Sequence, residues 1–151
     1  MNISAKEVQE LRKMSGAGMM ECKLALNDSN GDVKEAFKLL REKGIAKAEK
    51  KSSREANEGL IGIKNTKEGA SIIEINSETD FVSRNKEFQD LVYKILDISI
   101  DHKGDNKILE GCKDLISDAV GKIGENIVFK RVDYLDGHIH TYIHNKIDLI
   151  F

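Results

Sequence analysis

The stretch that decides the fold lies at residues 70–85 and reads ASIIEINSETDFVSRN. Its first half is typical of a strand, and Asn85 is placed to cap the amphipathic helix that follows. The connection between them carries Phe81 and Val82 among polar residues, in a chain with only 5% aromatic residues. Two interpretations are open: the apolar pair folds back to cap the junction between sheet and helix, or Phe81 protrudes beside Asp80 as a contact for another protein.

The residues before this stretch begin with three predicted short helices, within the first 44 residues. Ser4 and Glu7 form a capping-box pattern at the first helix, and Asp32 is placed to cap the third. Lys43 and Gly44 predict the end of the third helix, with a cationic last turn and a glycine stop. Three helices with a few apolar residues each predict a minimal bundle that is suited to docking on another molecule.

The remaining residues predict an α+β unit with the order β-β-α-α-β-β, an antiparallel sheet and two helices on one face of the sheet. Strands are predicted at 59–64 and 70–77 and form a hairpin around residues 65–69. Two amphipathic helices follow them, and the apolar face of the second helix runs from Ile108 to Ile123. A strand at 126–135 ends on Asp136 and Gly137, a pair that predicts a hairpin with a return strand at 138–145. We therefore divide the chain into a docking module at 1–45, a charged linker at 46–57, whose first part could be helical, and a core at 58–151.

Composition narrows the classes of protein to which the chain can belong. At 151 residues, 33% of them charged and with a net charge of −2, we expect a soluble protein without a direct nucleic-acid partner. No apolar run approaches the roughly 20 residues that a membrane span needs, and no secretory leader is visible, so we expect no membrane partner. Cys22 and Cys112 are far apart and fit buried thiols in a reducing compartment, which favours a cytoplasmic location.

Few residues suggest chemistry. The glycine-rich segment at 16–18 lacks the Walker and dinucleotide-binding patterns and is read as a loop between helices. His138, His140 and His144 would share one face of a strand and leave a metal site as an alternative, although no Cys or acidic ligand pattern accompanies them. No nucleophile, acid–base pair or cofactor motif stands out, so we expect a binding protein and not an enzyme, without a cofactor or a metal.

Met19 and Met20 are adjacent at the start of the second predicted helix. Neighbouring helical residues point about 100° apart, so both side chains cannot easily enter so small a core. An exposed methionine is an adaptable contact for a partner. The alternative, that both residues fill gaps in the bundle, remains open on pattern alone.

Three segments together resemble one family. Residues 11–44, the segment SETDFVSRN at 77–85 and the segment KIGENIVFKRV at 122–132 resemble, in order and spacing, the elongation factor Ts family of translation factors. The resemblance extends from about residue 3 to about residue 144. It implies that the N-terminal bundle is ubiquitin-associated-like and that the core presents a Thr-Asp-Phe-Val signature, which here is Thr79, Asp80, Phe81 and Val82.

The resemblance also implies a function in protein synthesis. Members of the family are guanine nucleotide exchange factors for elongation factor Tu, a GTPase, and act on its GDP-bound form. Arg12, Met19 and Met20 match positions at which the N-terminal module contacts the GTPase. Asp80 and Phe81 match the pair that inserts between two helices of the GTPase and disturbs the groups that hold magnesium and the β-phosphate.

The last residues depart from the family pattern. Asp148 stands where a glycine is usual, and the second half of the family's core sheet does not follow before Phe151. We therefore expect a core that is truncated at its C-terminal end. The rival interpretation is a non-catalytic adaptor, in which the helical bundle binds another helix or peptide and the core is a passenger.

Overall fold

The computed structural model describes residues 3–142 and 149–150 and has the predicted α+β fold. Its elements follow in the order α1 (Ala5–Ser15), α2 (Met19–Asp28), α3 (Val33–Lys51), β1 (Glu58–Asn65), β2 (Gly69–Ser77), α4 (Asp80–Ser83), α5 (Lys86–Asp101), α6 (Lys107–Gly111), α7 (Lys113–Ile123), β3 (Ile127–Asp136) and β4 (Leu149–Ile150). Among the described residues, none of the helices combines the length and the apolar character that crossing a bilayer requires.

Helices α1, α2 and α3 pack around a small core of their own. That core consists of Val8, Leu11, Cys22, Ala25, Leu26 and Ala36. The predicted capping box is confirmed, since Glu7 N–H donates to Ser4 Oγ at 3.3 Å and Ser4 N–H donates to Glu7 Oε2 at 2.8 Å. The predicted cap at Asp32 is confirmed as well, because its Oδ1 accepts two backbone N–H bonds in the first turn of α3. These caps satisfy N–H groups that a helix start would otherwise leave without partners.

The predicted end of α3 at Gly44 is wrong, because the helix runs on to Lys51 and includes residues 46–51 of the predicted linker. Gly44 is needed for close helix packing and not for a turn. A Cβ atom on Gly121 of α7 would lie only 3.2 Å from Gly44 Cα, so the two helices approach with almost no side chain between them. Beyond this approach, Ala48 packs against the core of the α+β unit.

The sheet has the strand order β3-β2-β1-β4. The predicted hairpin is confirmed: β1 pairs with β2 antiparallel, from Glu58 opposite Ser77 to Asn65 opposite Ala70. On its other side β2 pairs antiparallel with β3, and the two-residue strand β4 adds to β1 in parallel. Helix α5 covers one face, and Gly62 of β1 admits it closely, since a Cβ there would lie 2.8 Å from Leu96 Cδ1. The resulting core joins the inward residues of β1, β2 and β3 to α4, α5, α6 and α7.

Two further expectations are corrected. The single second helix predicted in the core is broken into α6 and α7 at Cys112, directly after Gly111, where the helix propensity is low and the thiol is buried. The predicted return strand at 138–145 is wrong for residues 138–142, which form no strand. They pass Asn65 at the end of β1, whose side-chain amide donates to Ile139 O at 3.4 Å. Residues 143–145 of that prediction lie outside the described residues.

Candidate functional site

The structure separates the two apolar residues of the Thr-Asp-Phe-Val segment. Asp80 to Ser83 form the four-residue helix α4, directly after β2. Within it the Val82 side chain is 7% exposed and belongs to the main core, whereas Phe81 is 77% exposed. Val82 therefore caps the junction between sheet and helix, as the first interpretation expects, whereas Phe81 does not fold back and protrudes from the surface.

Hydrogen bonds from two serine hydroxyls hold the backbone around Phe81. Ser83 Oγ donates to the Asp80 carbonyl at 2.6 Å, and Ser77 Oγ donates to the Thr79 carbonyl at 3.1 Å. Ser77 and Ser83 are both buried. The Asp80 carboxylate pairs with Arg84 at 3.3 Å, and both side chains remain at least half exposed. The turn is thus fixed from its buried side, while its acidic and aromatic side chains face outward.

The segment that follows α7 holds the same corner from a second direction. Glu125 accepts two hydrogen bonds from Thr79, one from the backbone N–H at 3.0 Å and one from Oγ1 at 2.7 Å. In the opposite sense, Glu78 Oε1 accepts from the Asn126 N–H at 2.6 Å and from Arg54 at 3.4 Å. The Asn126 N–H, aided by Arg54, lowers the pKa of the Glu78 carboxyl below its ordinary value. Two carboxylates therefore fasten residues 78–79 to residues 125–126.

Sequence reasoning missed this second set of residues. Glu125 and Asn126 lie within the quoted segment KIGENIVFKRV, but their polar character alone does not show which residues they contact. Their partners are 46 and 48 residues away along the chain. The sequence signal that could have found them is the acidic residue beside each of the two turns, Glu78 and Glu125. Each of these carboxylates accepts a hydrogen bond from a backbone N–H of the other turn.

The other predicted site residues lie on the helical bundle. Arg12 is exposed on α1, and Met19 and Met20 are 48% and 67% exposed at the start of α2. The sequence favoured one exposed methionine, and both are exposed. Met14 and Leu24, which were not predicted, are 54% and 53% exposed on the same two helices. The predicted residues therefore form two groups, one on the bundle and one at the corner of the sheet.

Helix α2 is fastened to α3 by one carboxylate. Glu21 Oε2 accepts from the Gly18 N–H at 3.3 Å, and its other oxygen pairs with Lys47. The hydrogen bond from Lys47 is the main cause that lowers the pKa of Glu21. The exposed methionines thus project from a helix start whose orientation is fixed relative to α3.

The alternative metal site gains no support from the described residues. No group of three or more His, Cys, Asp and Glu side chains within residues 3–142 is arranged to hold a metal ion. His138 and His140 are exposed, and His144 lies outside the described residues. Cys22 and Cys112 are free and buried, as the sequence predicted.

A rigid corner with an exposed aromatic side chain, and a helical bundle with exposed methionines, are typical of a protein that binds other proteins. Comparison with known proteins narrows this class. The family model described as elongation factor TS matches residues 78–150. Curated relatives named elongation factor Ts match from Bartonella quintana (48% identical, 97% of this chain), Mesorhizobium japonicum (45%, 97%) and Hydrogenobaculum sp. (45%, 95%). The chain belongs to the elongation factor Ts family.

The matches cover nearly all of this chain but only part of each relative. The chain covers 52% of the Bartonella and Mesorhizobium relatives and 58% of the Hydrogenobaculum relative. It therefore spans about half the length of the curated relatives that it matches.

Proposed function

We propose that the chain is a guanine nucleotide exchange factor that binds elongation factor Tu and promotes GDP release during protein synthesis in the cytoplasm. It acts by binding and forms no covalent intermediate with the nucleotide. The observation that carries the proposal is the geometry of α4, where Phe81 is 77% exposed beside the buried Val82. An exposed aromatic side chain on a fixed backbone loses little conformational freedom when a partner buries it.

The corner at α4 supplies the intruding group. Phe81 enters between two helices of the GTPase, and Asp80 accompanies it as a charged neighbour on the same exposed turn. Thr79 and Val82 stay with this chain, since Thr79 bonds to Glu125 and Val82 lies in the core. The four residues thus divide into two that contact the partner and two that hold them in place.

The helical bundle supplies the docking surface. We assign it to residues 1–45 as a ubiquitin-associated-like module, with 46–57 as the connection and 58–151 as the core. Arg12, Met19 and Met20 are exposed on this module and contact the GTPase. Methionine side chains adapt to an irregular partner surface, and the arginine adds a charged contact at the rim.

The physical basis of exchange is reciprocal coupling. A GTPase holds GDP through a phosphate-binding loop and Mg²⁺, so a protein that disturbs either removes strong charge-assisted contacts. If the exchange factor binds the nucleotide-free GTPase more tightly than the GDP form, GDP weakens its binding by the same factor. An acceleration of about 10⁴ would require roughly 5.5 kcal/mol of differential binding.

The test is release of a fluorescent GDP analogue from elongation factor Tu, with and without this chain. We expect acceleration that saturates with the concentration of the chain. Met20→Ser should raise the half-saturating concentration, whereas Leu135→Ser, which changes a residue that is 56% exposed on β3, should leave it unchanged. If the chain binds the GTPase without accelerating release, or binds only other proteins, the adaptor interpretation replaces this proposal.

A further inference from the structure

We propose that Glu125 is a positioning residue that holds Thr79 and thereby sets the direction in which Phe81 projects. The inference rests on the proposed function for its consequence, since Phe81 is the residue that enters the partner. The structural part of the inference, that Glu125 holds Thr79, depends only on contacts within this chain. Glu125 lies 46 residues from Thr79 along the chain and meets it across the corner of the sheet.

Helix α4 cannot fix its own orientation. It has four residues, and an isolated helix of that length is unstable because the conformational entropy lost in forming the first turn exceeds the stabilisation from its hydrogen bond. Its N-cap residue, Thr79, makes no side-chain capping bond to the helix. Instead, the hydroxyl that would ordinarily cap α4 donates to Glu125 at 2.7 Å. The start of α4 is therefore oriented by a residue outside it.

Glu125 is itself held between two fixed neighbours. Gly124 ends α7 in the left-handed region, with φ of 87°, and its carbonyl accepts from the Lys51 ammonium. Asn126 is 4% exposed, and its side-chain amide donates to the Arg54 carbonyl at 2.7 Å. The carboxylate between them accepts from both the N–H and the hydroxyl of Thr79, from a backbone position that both neighbours fix. Because both carboxylate oxygens of Glu125 already accept hydrogen bonds within the chain, the residue is suited to hold Thr79 in place.

A supporting role makes a prediction that a direct contact with the partner does not. If Glu125 acts only by presenting Phe81, its removal should matter only while Phe81 is present, because coupled residues show non-additive effects. If Glu125 contacts the partner itself, the effects of changing Glu125 and Phe81 should multiply. A double-mutant cycle on GDP release distinguishes the two.

The first measurement does not depend on exchange activity. Hydrogen–deuterium exchange of the Thr79 amide and of the α4 amides is compared in the wild type and in Glu125→Ala. We expect about tenfold faster amide exchange in the variant, the order of magnitude for loss of a hydrogen bond to a charged group. Glu110→Ala is the matched control, since Glu110 of α6 is an exposed carboxylate that pairs with Lys113 at the start of α7. Unchanged amide exchange in Glu125→Ala would overturn the proposal.

The second measurement is the double-mutant cycle with the GDP-release assay. Glu125→Ala should lower the acceleration about tenfold in the wild-type background and less than twofold in the Phe81→Ala background. Glu125→Gln should restore most of the activity, because its amide oxygen accepts the Thr79 N–H and its NH₂ group donates to the hydroxyl. Equal losses in both backgrounds would overturn the positioning role. If the wild type does not accelerate release, the proposed function fails, and the amide exchange alone then decides whether Glu125 holds the turn.

Discussion

Replacing Phe81 with alanine should separate exchange activity from folding. The side chain is 77% exposed, so its removal opens no cavity in the core of this chain. Surface changes of this kind usually alter the free energy of unfolding by less than about 0.5 kcal/mol. The loss should therefore appear only when the partner is present.

The magnitude follows from the exposed area. An aromatic side chain buries about 150–250 Å² when fully covered, and roughly three quarters of that remains available on Phe81. At about 25 cal/mol per Å² this gives roughly 3–5 kcal/mol as an upper limit. The alanine keeps its Cβ, and the bound interface relaxes in part. We expect a loss of about 2–3 kcal/mol, which is roughly 30- to 150-fold in rate or affinity.

The assay measures GDP release from elongation factor Tu over a range of concentrations of the chain. If Phe81 is buried only in the state from which GDP leaves, the maximal rate falls and the half-saturating concentration changes little. If Phe81 is buried equally before and after release, the half-saturating concentration rises instead. Tyr93→Ala is the control, because Tyr93 is an aromatic residue 45% exposed on α5, away from the corner. We expect it to behave as the wild type.

One result refutes the reasoning. If Phe81→Ala and the wild type accelerate release equally, and both exceed the spontaneous rate, then Phe81 is not the intruding group. A large loss of thermal stability in Phe81→Ala would refute the structural premise instead, since it would mean that the ring packs within this chain.

Three further predictions concern stability. Val82→Ala should lower the free energy of unfolding by about 1–3 kcal/mol in denaturant titrations, because it empties buried volume that Phe81→Ala leaves untouched. Gly121→Val should lower the free energy of unfolding by about 1–3 kcal/mol, because the added side chain forces α7 away from α3. Gly111→Val should avoid that clash, since the space around Gly111 is open. Equal losses of stability in the two variants would contradict the close approach of the helices. Lowering the pH from 4.5 through the pKa that Glu78 has in the folded state, which lies below its ordinary value, should reduce the free energy of unfolding. The reason is that the unfolded state binds the proton more readily than the folded state in this range. Glu78→Gln should flatten this pH dependence in thermal melts.

Local sequence signals predicted what local interactions decide. The caps at Ser4, Asp32 and Asn85 are confirmed because each joins a side chain to a backbone N–H within three residues. The pairing of β1 with β2 was predictable for the same reason, as a short connection between two strand-like runs fixes the register.

Contacts between distant residues could not be predicted in this way. Gly44 carries the ordinary signal for a helix end, and only its neighbour Gly121, 77 positions later in the sequence, shows that the glycine serves a close approach of two helices. The hydrogen bonds between Glu125 and Thr79 likewise join residues that are distant in the sequence. The resemblance to a family identified the signature segment, but it did not show what supports that segment.

The exposure of Phe81 follows from the burial of Val82. Neighbouring residues in one helical turn point about 100° apart, so a turn that directs Val82 into the core must direct Phe81 elsewhere. The core accepts only one of the two, because Val82 fills the place where α4 meets β1, β2 and α5. Since Glu125 and Ser77 fasten the backbone on either side of Thr79, the turn cannot rotate to exchange the two side chains. The protruding aromatic residue is therefore a consequence of the packing beneath it and of the hydrogen bonds that keep the turn in this orientation.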